Sequence, residues 1–465
     1  MSLRQKAVHG GAFLVFRQAI GIVLSLVGVL FVTRIIGPRE YGLYAVSVGI
    51  ANFLCVFGDW GLDVYLLRKT EDPEDREFHQ VFTLLLCISA IFAGGLILTA
   101  RLIAEFVKMP EVAPLVSVLS IAVLFNLMAT PAIVKLDRAL NFRQVAKNEL
   151  IAQISMYAVA VPLTLFNAGA WAPACGFLTQ QFILTVLSYG SAGYRPALFW
   201  DTVLVRRMVK YGFGFSASTW VWQLRGLVNP FIVGRFGGAV AVGYVAVGIR
   251  FVEVLSFVRS ATWRIAMVAL AKMNQDHGRL RNSVTEGMRL HALAVGVPLA
   301  LFALIAPGLV PLGLGHNWAP TLQVFPFIAL SYLANSMFSL HSSVLYMLGK
   351  NFRVTVFHSV HMILFAGSAA ILVPRLGFVG YGWSEMIALF SYSVVHLFLA
   401  QEVGSPSYGV AVIWFMATAC TLILSAFGPP ALYLGPIVLL LPLFFPKERS
   451  SMVGYAQIVM SRSAS

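Results

Sequence analysis

Ionisable side chains inside long apolar runs are where this sequence could do chemistry. Ser218, Trp222, Arg225 and Asn229 follow i, i+4, i+7, i+11 spacing, which places them on one helical face, and Pro230 follows directly and predicts a bend. Arg250 stands in the next apolar run, with Glu253 one turn away on the same side. At helical rise, Arg225 lies about 21 Å and Arg250 about 18 Å from the inner ends of their runs, so the two share a similar depth. Guanidinium forks match phosphate oxygens two at a time, so this pair suits a diphosphate. The alternative is that Arg250 pairs only with Glu253 and braces the helices, or that Glu253 serves as a gating carboxylate.

A second constellation lies near the start of the chain. Asn52, Asp59 and Asp63 share a face at i, i+7, i+11, and Arg17 sits in the preceding apolar run. An Arg17–Asp59 or Arg17–Asp63 pair is compatible with helical rise. It reads either as a gate, as a carboxylate that titrates with a coupling ion, or as a plain ion pair near an interface. His341, His358, His361 and His396 show no common face, so no proton path is read from them. Cys55, Cys87, Cys175 and Cys420 are far apart, which supports neither a zinc site nor a disulfide framework. The sequence holds no nucleotide-binding glycine loop, Ser/His/Asp set or metal motif. No cofactor is expected.

These residues are positioned by an apolar chain. Of its 465 residues, 59% are hydrophobic and 11% are charged. A soluble domain carries about 25% charged residues, so the composition reads as an all-α polytopic membrane protein. The net charge of +14 would suggest nucleic acid on a soluble chain. Here it is explained by cytoplasmic loops, which collect Lys and Arg, and no nucleic acid is expected.

Fourteen stretches, from roughly 11–33 to 432–446, approach the ~20 apolar residues a spanning helix needs. The basic segment 1–10 leads into a run too long for a signal peptide, so it is read as a retained first helix with a cytoplasmic start. With both termini inside, 24 of the 33 Lys and Arg fall in inner segments and six in outer ones. The loops leave no room for a soluble catalytic domain.

Two local matches point to duplication. Tyr44–Ile50 resembles Tyr244–Ile249, and Asn141-Phe142-Arg143 recurs as Asn351-Phe352-Arg353. The expected organisation is a six-helix lobe at 1–200, a second at 201–400, and two extra helices with a basic cytoplasmic tail at 401–465.

The stretch Arg34-Ile35-Ile36-Gly37-Pro38-Arg39-Glu40-Tyr41-Gly42-Leu43-Tyr44 resembles the first hairpin of bacterial polysaccharide flippases. Gly58-Asp59-Trp60-Gly61-Leu62 with Leu67-Arg68, Leu140-Asn141-Phe142-Arg143 and Gly169-Ala170-Trp171-Ala172 resemble further motifs of that family. The resemblance implies a Wzx-type flippase of the multidrug/oligosaccharidyl-lipid/polysaccharide (MOP) exporter superfamily, with two six-helix lobes around a central cavity. Such a protein moves undecaprenyl-diphosphate-linked oligosaccharide across the bacterial inner membrane by alternating access, driven by a proton or sodium gradient. It serves surface polysaccharide assembly beside polymerase and assembly proteins. The resemblance also implies cationic cavity residues, for which Arg17, Arg225 and Arg250 are the candidates, with Ser218 and Asn229 beside them. A lipid II flippase or a MATE-like antiporter of the same superfamily is the alternative. A membrane-embedded polysaccharide polymerase or ligase is the remote one, since its sugar chemistry needs a sizeable outer loop.

Overall fold

The structure is a computed structural model that describes residues 3–69, 71–257, 276–428, 431–446 and 448–449; the side chains of 3–19 and 214–215 lie outside that description. Among the described residues there are helices and no strands, as the composition requires. Among the described residues, nine helices are long and apolar enough to cross a membrane. Two of these, Ile20–Asp59 and Ser216–Leu255, each hold two of the expected spans, so the count of fourteen stays an expectation. Of the cations assigned to inner loops, Arg259, Arg264, Lys272, Lys447 and Arg462 lie outside the described residues.

The chain packs as two compact units. One comprises Met1–Ala246, Gly313–Trp318 and Ala369–Tyr381; the other comprises Val247–Leu312, Ala319–Ser368 and Gly382–Ser465.

In the first unit, α1 (Leu3–Asp59) is two rods joined at Gly37, whose φ of 76° and ψ of 174° are non-helical, with Pro38 next. The break at Trp60 and Gly61, both at positive φ, ends the rod and starts α2 (Leu62–Arg68). The apolar run that carries Asp59 and Asp63 is therefore broken between them. Two left-handed residues in succession cannot continue a right-handed helix. α3 (Asp75–Val107) opens with a capping box made by Glu74 and Glu77. α4 (Val112–Arg138) follows it, and Asn141 caps α5 (Phe142–Leu165) by accepting from the Gln144 N–H. Gly169 sits at positive φ before α6 (Trp171–Ala192), and a Cβ there would stand 2.6 Å from Glu40 Oε2. That carboxylate accepts from the Ala170 N–H at 3.1 Å. The motif residues thus punctuate the chain: each sits at a kink, cap or turn.

Asp201 caps α7 (Thr202–Gln223), accepting from Val203 and Leu204 N–H. The chain then tightens into a 3-10 turn, Leu224–Leu227, widens into a π-helical turn, Val228–Val233, and resumes as α8 (Gly234–Leu255). α8 is kinked at Gly238, with φ 74° and ψ −178°, nearly the angles of Gly37.

The second unit holds α9 (His277–His291), amphipathic and capped by Asp276, and most of α10 (Val297–Leu314). α11 (Thr321–Met347) is buried along most of its length. Around it stand most of α12 (Asn351–Leu376), α13 (Val379–Ala388), α14 (Tyr392–Val403), α15 (Gly409–Ala426) and α16 (Ala431–Leu440). Leu280, Val284, Met288, Met337, Leu340, Val344, Leu399 and Trp414 form its main apolar core. Arg289 pairs with the buried Glu448 at 3.1 Å, and Trp414 Nε1 donates to the same carboxylate at 3.0 Å.

Candidate functional site

The first unit contains a cavity of about 650 Å³. Its polar lining comes from four helices. α1 and α2 supply Asn52, Asp59 and Asp63, α4 supplies Asn126, Thr130 and Asp137, and α7 supplies Ser216, Thr219, Trp220 and Gln223. The predicted trio Asn52, Asp59 and Asp63 does converge on one space, although the helix that was to carry it is interrupted. The carboxyl of Asp59 lies within hydrogen-bonding reach of that of Asp63. Asp59 Oδ1 is buried and has no hydrogen-bond partner among the described residues. Asp63 Oδ1 accepts from the Val64 N–H at 2.5 Å.

Three carboxylates line the cavity, and among the described residues no lysine or arginine does. Like charges this close repel, and a cation bound among them relieves the repulsion. The chemistry of this space is therefore that of a cation or of a hydroxyl-rich ligand, and not of a diphosphate.

The carboxylates are held by tight helix joints. A Cβ on Gly61 would stand 2.6 Å from Ser216 Oγ, and one on Gly212 would stand 1.9 Å from the Trp60 carbonyl oxygen. Only glycine permits α7 to lie this close to the α1–α2 break. From α4, Arg138 closes the other end of α2. It donates to the carbonyls of Leu66 (2.8 Å), Leu67 (3.3 Å), Lys69 (3.0 Å) and Glu71 (3.1 Å) and to Asp72 Oδ1 (3.0 Å). The Leu66 and Lys69 carbonyls are among those a helix C-terminus leaves open.

The arginine face takes a different form from the expected one. α7 ends at Gln223, so the i, i+4, i+7, i+11 spacing of Ser218, Trp222, Arg225 and Asn229 does not run along one continuous α-helix. Pro230 lacks an N–H and crowds the preceding turn, which accounts for the widened π-turn around it. Arg225 lies over the Trp222 ring at 5.6 Å, and Ser218 is buried. Asn229 is 6% exposed; its Nδ2 donates to the Val242 carbonyl at 3.3 Å and its Oδ1 has no partner among the described residues. A Cβ on Gly49 would stand 2.8 Å from the Pro230 ring, so α1 passes directly beside the break.

Arg225 belongs to the first unit and Arg250 to the second. Arg250 Nη1 does pair with Glu253 Oε2, at 3.2 Å. Both side chains are about 40% exposed in the chain by itself, so the pair contributes only about 0–1 kcal/mol. Arg17 lies within α1, and its side chain is outside the described residues.

Sequence reasoning missed the α4 and α7 linings. The signal was present as polar positions at helical spacing inside apolar runs: Asn126, Thr130 and Asp137 at i, i+4, i+11, and Ser216, Thr219, Trp220 and Gln223 at i, i+3, i+4, i+7. It also missed a meeting of two histidines. His341 and His396, which share no face in sequence, both meet the hydroxyl of Tyr408. They stand on different helices, α11 and α14, with α12 and α13 between them in sequence, and linear spacing does not encode such a meeting.

Residues 31–323 match the family described as "Polysaccharide biosynthesis protein". The chain belongs to that family. It is similar to the succinoglycan biosynthesis transport protein ExoT of Rhizobium meliloti (strain 1021), 26% identical over 66% of this chain and 62% of ExoT. This match spans less than two thirds of ExoT's length. It is similar also to the lipopolysaccharide biosynthesis protein WzxC of Escherichia coli (strain K12), 24% identical over 72% of this chain and 69% of that protein. In fold it resembles the lipid II flippase MurJ in an inward closed conformation, with a TM-score of 0.74 at 13% identity, covering 96% of this chain and 99% of that one. An inward-facing MATE family transporter of the MOP superfamily matches with a TM-score of 0.57 at 12% identity, over 84% and 98% of the two chains. The expected resemblance is thereby borne out in family and in fold: the family is that of polysaccharide biosynthesis proteins, WzxC is a relative, and MurJ and the MATE transporter share the fold. The chain is a multi-pass membrane protein with their fold.

Proposed function

We propose that this chain is a flippase that carries undecaprenyl-diphosphate-linked oligosaccharide across the bacterial inner membrane by alternating access, for O-antigen, exopolysaccharide or capsule assembly. The observation that carries this reading is the helix discontinuity at the edge of the cavity. Gln223 lines the cavity, the 3-10 turn with Arg225 begins at the next residue, and the unsatisfied Asn229 Oδ1 follows one turn on. Broken membrane helices are where transporters of this kind take their substrates, because unwound backbone is tolerated only against a cavity or protein.

In this reading Arg225 meets the diphosphate, with Ser218 and Asn229 beside it, and Arg250 and Arg17 are further cationic contacts. Asp59 and Asp63 bind the coupling ion, a proton or sodium, and Glu253 gates through Arg250. The lobes are 1–200 and 201–400, followed by the pair of helices in 401–465, and both termini are cytoplasmic. Polymerase and assembly proteins are its partners. The names of its relatives are those of transport and biosynthesis proteins and a flippase, which lends the polymerase or ligase reading no support.

The test is movement of fluorescent lipid-linked oligosaccharide in proteoliposomes. Arg225→Ala lowers the rate at least about tenfold, the loss of one charge-assisted contact; a wild-type rate sinks the headgroup role. The acidic cavity favours one second reading, a MATE-like antiporter of organic cations. Gradient-driven efflux of a cationic dye, with no movement of the lipid, would decide for it.

A further inference from the structure

Two histidines of the second unit converge on one tyrosine. Tyr408, at the N-terminus of α15, places its Oη 2.7 Å from His341 Nε2 on α11 and 2.6 Å from His396 Nδ1 on α14. His341 is fully buried, and its Nδ1 has no hydrogen-bond partner among the described residues. His396 is only half-buried. The Phe338 ring lies 4.7 Å from His341 and 6.0 Å from Tyr408, and closes the cluster on one side. None of these residues enters the cavity or the helix break already described.

A hydroxyl carries one hydrogen, so Tyr408 donates to one imidazole and accepts from the other. The two rings must therefore present opposite kinds of nitrogen to it. A buried N–H without an acceptor is the costlier orphan, which assigns the lone pair to His341 Nδ1. His341 then donates from Nε2 to Tyr408, Tyr408 donates to His396 Nδ1, and His396 keeps its hydrogen on Nε2. On the more exposed of the two rings, the basic nitrogen is His396 Nδ1, the one that accepts from Tyr408.

We propose that His341, Tyr408 and His396 form a proton-binding site, in which uptake of one proton at His396 Nδ1 displaces the Tyr408 hydroxyl and loosens its hold on His341. The balance is simple: His396 gains one proton and one charge, and His341 and Tyr408 keep theirs. With His396 Nδ1 now a donor, the Tyr408 oxygen faces two donors and its own hydrogen loses its acceptor. The joint between α11, α14 and the start of α15 is weakened by protonation. The backbone there is tied to α9 through Ser407 N–H to Thr285 Oγ1, at 3.0 Å.

The titratable neighbours are accounted for. On α14, Tyr392 stands one turn before His396, and Glu402 is taken by Lys350 and Arg353 at 3.1 and 2.8 Å. On α12, His361 Nδ1 meets Ser391 Oγ at 2.9 Å, and His358 packs on Phe357. On α13, Glu385 accepts from Ser331 at 2.7 Å. On α9, Arg289 is held by Glu448, and Arg281 approaches Gly404, where its Nη1 would lie 3.7 Å from a Cβ. Among the described residues, the Tyr408 hydroxyl is the hydrogen-bond partner of both imidazoles.

The experiment reads protons directly and needs no transported substrate, so it stands apart from the flippase reading. The full chain, labelled with ¹⁵N-histidine and held in lipid nanodiscs, is titrated from about pH 8 to about pH 5 by long-range ¹H–¹⁵N spectra, with His341→Gln and His396→Gln for assignment. The expected result is that His396 becomes imidazolium while His341 stays neutral, its Nε2 resonance moving with the same midpoint. Tyr408→Phe keeps the ring and reduces that His341 response about tenfold or more. A His341 signal that ignores the His396 titration in the wild type overturns the proposal. So does an unchanged response in Tyr408→Phe. Should Tyr408→Phe fail to fold, His396→Gln takes its place: His341 must then be silent over the range, and a remaining shift overturns the site.

Discussion

Gly42 and Gly243 hold two kinked helices together by reciprocal backbone contact. A Cβ on Gly42 would stand 1.8 Å from the Ala239 carbonyl oxygen, and one on Gly243 would stand 2.3 Å from the Pro38 carbonyl oxygen. Pro38 and Ala239 each follow the positive-φ glycine at their own kink, Gly37 and Gly238. Each rod therefore uses the same element of its neighbour, five residues after its own bend.

This crossing has no room for a side chain. Gly42→Ala and Gly243→Ala each destabilise the protein by about 2 kcal/mol, the usual cost of forced overpacking. Thermal unfolding in detergent, followed by tryptophan fluorescence, checks it. Because both changes open the same contact, the double variant loses less than the sum of the singles. Additive losses would mean that the two glycines act separately.

Arg138 is predicted to be irreplaceable by lysine. Its guanidinium serves four carbonyls and one carboxylate around the end of α2, a fan that a single ammonium cannot cover. Arg138→Ala and Arg138→Lys both lower stability, by about 2–3 kcal/mol and about 1–2 kcal/mol. Denaturant melts of the two variants beside the wild type measure this, and a lysine variant as stable as the wild type refutes it.

How much of this was legible beforehand follows from the type of signal. The membrane class and the all-helical fold are written in bulk composition, and the carboxylate trio in helical spacing. Asp59 and Asp63 were correctly grouped for an incomplete reason: they meet because Trp60 and Gly61 fold the chain over, and spacing alone treats the segment as straight. The arginine face failed the same way, because 3-10 and π turns change the residues per turn after Gln223. The Tyr408 cluster was illegible, since its three members come from separate elements and only packing brings them together.

Asp59→Asn tests the coupling role of the cavity. The amide keeps the shape and removes the charge that would hold a cation. The ratio of flipping rates with and without an imposed proton or sodium gradient is expected to fall to about one, while the passive rate changes less than about threefold, as for a group outside the headgroup contact. Persistent gradient dependence moves the coupling site elsewhere.

Lys69 predicts an alkaline signature. Its ammonium donates to Glu77 Oε2 at 2.7 Å, and this hydrogen bond, against a smaller burial effect, holds its proton to higher pH than a free lysine would. A raised value stabilises the fold fully below the unfolded lysine value and less as pH climbs through the folded one. The difference in melting temperature between wild type and Lys69→Met should stay constant from neutral pH upward and shrink only beyond about pH 10.4. A difference that shrinks near neutrality assigns the effect to another group.

The strap between α6 and α7 carries a mechanical consequence. Alternate backbone N–H groups of Ala197, Phe199 and Asp201 donate to His79, Thr83 and Gln80 on α3, and Asp201 in turn caps α7. A connector stitched this way has no slack. Any tilt of the N-terminal end of α3 is handed straight to the first turn of α7, as by a crank arm and not a rope, so the helix that brings Ser216, Thr219 and Gln223 to the cavity and leads into the break at Arg225 is steered from a neighbour it does not adjoin in sequence.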